Sequence, residues 1–118
     1  MKKLIPLIAL VGIWVAGCSQ ANAPVNVVNG FYESMKLHKV DKAVSFIHKD
    51  SPIQPFMGLF RLGVQSAKVE KYEFKKVKID GDKAIVSGYA IIDGKRIDKD
   101  VILKKENGKW KIYNEERK

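Results

Sequence analysis

Helices packed on a curved four-stranded antiparallel meander, an α+β domain, are the fold class this chain predicts, and three observations carry it. From Val25 the apolar residues Val25, Val28, Phe31, Tyr32 and Met35 recur at spacings of three and four, the period of one helical face. After Lys68 the apolar period changes to two, the signature of strands. Turn signals then fall at regular intervals: Asp80-Gly81-Asp82, Asp93-Gly94 and Glu106-Asn107-Gly108. Helices first and strands afterwards segregate into two layers around one core.

Each element follows from local chemistry. Pro24 opens the first helix, where its missing N–H costs nothing. Gly30 lowers local propensity, so packing has to hold that helix. A break falls near Leu37-His38-Lys39, and Asp41 reads as the N-cap of a second short helix carrying Ala43, Val44, Phe46 and Ile47. Asp50-Ser51-Pro52 and Gln54-Pro55 are turn signals; residues 56–63 follow as a third short helix or an irregular lid ending at Gly63. Tyr72 and Phe74, then Val77 and Ile79, alternate with one extra residue at Lys75-Lys76, which predicts a bulge in the first strand. Lys83 to Ile92 is apolar on both alternations, as a central strand is. Lys95 to Lys104 has Ile97, Val101 and Leu103 on one face, and Lys109 to Tyr113 turns Trp110 and Ile112 inward.

The first eighteen residues have a different design. Lys2 and Lys3 form a positive head, Leu4 to Val15 is almost wholly apolar, and Ala16-Gly17 leads into Cys18, the single cysteine of the chain. Charged head, apolar middle and small-residue exit are the order of a secretory signal. As a transmembrane helix, residues 4–17 would span only about 21 Å against a ~30 Å hydrocarbon core. The run Val15-Ala16-Gly17-Cys18 resembles the lipobox of bacterial lipoproteins. The resemblance implies cleavage before Cys18, a diacylglycerol on its thiol and acylation of the new amino terminus; two or more chains make such an anchor stable. Ser19, rather than aspartate, in the second mature position implies the outer membrane, facing the periplasm, in a two-membrane host. The expected organisation is therefore a signal peptide over 1–17, a lipidated tether over 18–24 and a single domain over 25–118. Loss of Lys2 and Lys3 takes the formal charge from +9 to +7. In that compartment nucleic acid is an unexpected partner, and the surplus suits acidic headgroups, an anionic envelope component or solubility alone.

Val27-Val28-Asn29-Gly30-Phe31-Tyr32, Asp41-Lys42-Ala43 and the closing Asn107-Gly108-Lys109-Trp110-Lys111-Ile112 are similar to small bacterial lipoproteins of the cystatin-like superfold, in its nuclear-transport-factor-2-like branch. The resemblance implies helices cupped against a curved sheet around a cone, and leaves dimerisation through the open sheet face available. It does not bring a function with it, since this architecture hosts isomerases, dehydratases, adaptors and packing modules.

The residues themselves offer little chemistry. A catalytic carboxylate would have to sit in the apolar phase of a strand. Glu73 points outward, Glu70 lies at a strand start, Asp80, Asp82 and Asp93 are turn residues, and Asp98 and Asp100 share an outer phase. His38 sits in the connection between helices and His48 near a helix end; both are expected to face solvent or satisfy helix carbonyls, and together they make a poor metal site. No catalytic residue, metal or cofactor is expected. Phe31, Tyr32, Tyr72 and Tyr89, with Phe56 and Phe60 as a gate, are the residues expected to line an apolar pocket if the cone is hollow. Arg96, Lys104, Lys109 and Lys111 are expected on one outer sheet face, as an anionic-surface contact. The functional expectation is a membrane-tethered, non-enzymatic envelope module that binds a protein or envelope component, with a carrier of a small apolar ligand as alternative. An isomerase- or dehydratase-type enzyme stands third, wanting an inward acid or base.

Overall fold

The structure, a computed structural model, describes residues 23–118; the apolar run, Cys18 and most of the tether lie outside the described residues. Helix α1 covers 23–36, with Pro24 in its first turn as its missing N–H allows. Its buried stripe is Val28, Phe31 and Tyr32, and Ser34 satisfies its hydroxyl on Gly30 O at 2.8 Å. The break comes where expected: His38 takes the left-handed conformation (φ 57°), and its Nδ1 lies 3.0 Å from Val64 O.

Helix α2, Val40–Ser45, is shorter than expected. Lys39, not Asp41, stands at its N-cap, and the Asp41 carboxylate instead meets Arg61 at 3.0 Å on the exposed surface, where such a pair contributes little. Phe46 and Ile47 leave the helix because the edge of the sheet needs partners. Ile112 N–H donates to Phe46 O at 2.7 Å and His48 N–H to Ile112 O at 2.8 Å, a parallel bridge that also buries Ile47. A 3-10 turn, Gln54–Phe56, leads into α3, Met57–Ser66, which runs past Gly63 so that Val64 is buried.

Four strands follow in spatial order β1-β2-β3-β4: Val69–Asp80, Lys83–Ile92, Lys95–Glu106 and Lys109–Arg117. Asp93-Gly94 and Asn107-Gly108 both take positive φ at both positions, the two-residue turn that matches strand twist. The bulge at Lys75 is present, between the pairs Phe74↔Gly88 and Lys76↔Ser87, and returns Val77 to the inner face. A second bulge falls in β4: Leu103 pairs Ile112 while Ile102 pairs Asn114, leaving Tyr113 as the extra residue. The core lies between α1 and the inner face, built from Phe74, Val86, Val101, Leu103, Trp110 and Ile112.

Gly88 is where the first bulge meets its neighbour. A Cβ there would run into Glu73 O and sit 2.7 Å from both Phe74 Cα and its ring. Gly88→Ala is expected to cost about 1–3 kcal/mol by overpacking, measured by urea unfolding. An unchanged midpoint would show that the strands do not approach this closely.

Candidate functional site

The space a ligand would occupy is the cone between α1 and the sheet, and side chains take it up. Tyr32 stacks on Phe74 at 4.9 Å between centroids and on Tyr72 at 6.2 Å. Phe31 meets Tyr32 edge-on at 5.2 Å and stacks on Phe60 of α3 at 5.9 Å. These are the offset and edge contacts aromatic rings favour, and they fix one packing of the interior. What remains open is a cleft of about 420 Å³ at the rim, lined by Met35, Phe60, Val64, Ile92, Ile97 and Lys99 among others.

Polar groups close the interior at its mouth. The Tyr32 hydroxyl donates to Glu115 Oε1 and accepts from Lys99 Nζ at 3.1 Å; Lys99 Nζ also lies 3.5 Å from Glu115 Oε1. Phenol, ammonium and carboxylate thus form a closed triangle across α1, β3 and β4. Beside it the Tyr72 hydroxyl donates to Glu33 Oε1 at 2.6 Å. Burial, together with the Glu115 charge and hydrogen bond, raises the Tyr32 phenol well above its ordinary value. The hydrogen bond to Glu33, then burial and the Glu33 charge, push Tyr72 up to about 12. Chemically the pair of networks can hold the mouth shut or orient a polar group that reaches it.

Glu115 is an inward carboxylate that alternation did not reveal. With Trp110 and Ile112 inward, continued alternation puts Asn114 and Glu116 inside; the extra residue Tyr113 shifts the phase and delivers Glu115 instead. No turn residue marks that bulge. Glu70, the other carboxylate in phase, is exposed at the start of β1.

The remaining expected residues divide. Phe31 and Tyr32 are buried and Tyr72 and Phe60 partly so, and they meet as packed core. Phe56 is 62% exposed and gates nothing, because it ends the 3-10 turn on the outer side of α3. Tyr89 is a second correction: it lies on the outer face, 3.9 Å beneath the Arg96 guanidinium, since β2 is apolar on both faces and Ala84, Val86 and Ala90 take the inner one. The four cations do not form a single patch. Lys104 and Lys111 pair across β3 and β4 with Lys109 nearby, whereas Arg96 sits at the far end of β3 against Asp98 at 3.2 Å. His48 is buried rather than solvent-facing: Nδ1 accepts Asp50 N–H at 3.0 Å and Nε2 lies 3.2 Å from Lys105 O. Among the described residues no group of three or more His, Cys, Asp or Glu side chains could hold a metal ion.

A helical layer on a four-stranded antiparallel sheet with a packed cone is the cystatin-like fold in its nuclear-transport-factor-2-like (NTF2-like) form. An NTF2-like protein of unknown function from Shewanella baltica is similar at 18% identity and TM-score 0.65, covering 83% of this chain and 91% of that one. A protein described as a candidate ketosteroid isomerase from Shewanella frigidimarina is similar at 15% identity and TM-score 0.63, over 81% and 94%. A protein of unknown function with a cystatin-like fold from Nostoc punctiforme is similar at 13% identity and TM-score 0.61, over 80% and 86%. At such identities the likeness shows the fold alone. No family model matches the sequence, and no curated protein is significantly similar to it.

Phenols held above the ordinary 10.0 keep protons that the unfolded chain releases. Their contribution is therefore intact below pH 10.0 and is lost as pH rises, through about 12 for Tyr72 and through a point well above 10.0 for Tyr32. In an ultraviolet titration, Tyr72→Phe is expected to remove a phase near 12, and Glu115→Gln to lower the phase that Tyr32→Phe removes, by taking away the adjacent charge. A Tyr32 phase indifferent to Glu115→Gln would contradict the triangle.

Proposed function

We propose that this chain is a cell-envelope lipoprotein, anchored through an acylated Cys18, whose domain is a non-enzymatic binding module held at the membrane surface. In a host with two membranes the anchor is in the outer one, facing the periplasm. The filled cone carries the module reading. A carrier needs room between helices and sheet, and Phe31, Tyr32 and Phe74 occupy it. An isomerase-type reaction needs a group free to move a proton; the inward carboxylate is engaged by both Tyr32 and Lys99. Recognition then falls to the outer surface. The short tether supports the address: four residues separate Cys18 from Ala23, and the five steps between them at ~3.5 Å each keep the domain within about 17 Å of its anchor.

The cleft at the rim favours a second reading, a small apolar ligand resting on Met35, Phe60, Ile92 and Ile97 with an acidic head at Lys99 or Arg117. Native mass spectrometry of the protein extracted from its host separates the two: a mass explained by protein and anchor supports the module, and a retained metabolite supports the carrier. For the anchor, labelled palmitate is expected to mark the wild type, and Cys18→Ser to lose both the label and the processed form. Unchanged processing and fractionation of Cys18→Ser would overturn the lipoprotein reading.

A further inference from the structure

We propose that the groove at the start of α1 is a seat for an anionic phospholipid of the membrane that carries the anchor; this rests on the lipoprotein reading. The groove, about 410 Å³, has Val27, Phe46 and Trp110 as its apolar floor and Lys105, Lys109 and Lys111 around it. Among the described residues no carboxylate lines it. Lys111 is held at the rim by donating to Ser45 O at 2.6 Å, and the Lys105 ammonium stands 5.2 Å from the Trp110 ring. Glu106, the nearest acidic neighbour in sequence, turns away to accept Lys49 N–H at 2.7 Å.

Three features point to one occupant. Cations around an apolar floor match a molecule that carries phosphate charge beside glycerol and acyl carbons. Trp110 supplies an amphipathic ring of the kind found at membrane interfaces, and its indole N–H has no acceptor among the described residues. Ala23 also lines the groove, so it opens at the very end of the domain to which the anchor is tied. The tether sets only a maximum distance, so the groove can come onto the anionic surface itself, inside one screening length, where each lysine strengthens association roughly fivefold. The Arg96 end of the sheet has no such position.

The chain has two tryptophans, Trp14 and Trp110, and cleavage before Cys18 removes Trp14, so that Trp110 is the sole reporter in the processed protein. The processed protein, reconstituted from host membranes into phosphatidylcholine vesicles, is compared with and without a minority of phosphatidylglycerol, the brominated acyl chains being on one lipid or the other. Quenching of Trp110 is expected to be stronger with brominated phosphatidylglycerol. Most of that excess should vanish in Lys105→Gln/Lys109→Gln or when salt is raised on the unmodified groove. Equal quenching by both lipids, or an excess indifferent to the lysines and to salt, overturns the seat. Flotation of the same samples is read separately. Protein that floats only with Cys18 intact but shows no lipid-selective quenching sinks this inference and leaves the anchor standing. Protein that fails to float overturns the anchor, and the seat falls with it.

Discussion

Tyr32 cannot enter the space between helix and sheet unless its hydroxyl finds a partner there, since a buried, unsatisfied hydroxyl costs about 1–3 kcal/mol. The chain meets that requirement with Glu115, and then has to neutralise a partly buried carboxylate, which Lys99 does. The consequence spreads through the fold. Because the phenol is satisfied, its ring can lie flat between Phe74 and Tyr72 and turn an edge to Phe31. Because Glu115 must point inward, β4 has to carry a bulge. Helix, third strand and last strand are thereby joined at one point, and the cone is closed where it would otherwise open.

With the interior packed, the proposed recognition falls to the outer surface, and that surface is not uniform. At one end of the sheet Arg96 is spent on Asp98 and the Tyr89 ring. At the other, Lys104 stands over Tyr113 at 3.8 Å and Lys109 and Lys111 reach around the edge of β4 toward α1. On the outer side of α3 and the 3-10 turn before it, Phe56, Leu59 and Leu62 recur every third residue and are 61–69% exposed, an apolar stripe apart from the residues that line the lysine groove. It is the placement of charge beside the start of α1, rather than the total charge, on which the proposed contact with a bilayer rests.

Much of the architecture was legible in the sequence, because it rests on short-range rules. Asp93-Gly94 and Asn107-Gly108 tolerate the positive φ that a tight hairpin needs, and the extra residue at Lys75-Lys76 breaks a period that can be counted. The site was less so. Glu115 follows a bulge with no turn residue to announce it, and its partners Tyr32 and Lys99 are remote in sequence. Tyr89 misled because a central strand is apolar on both faces, so that hydrophobicity does not fix its phase. Asp41 looked like a cap, but capping depends on the backbone entry at Lys39. The spacing of Phe46 and Ile47 allows a helix, whereas the unpaired edge of β4 decides otherwise.

The hydroxyl proton of Tyr32 tests the account most directly. Enclosed between Glu115 and Lys99, it should exchange slowly enough with water to give its own proton magnetic resonance signal, shifted downfield, with cross-relaxation to the Lys99 side chain. That signal should disappear in Tyr32→Phe while the fold persists. A Tyr32 hydroxyl in rapid exchange with solvent, its ring flipping freely in a natively folded domain, would mean that the cone is open and that the surface is not where this protein does its work.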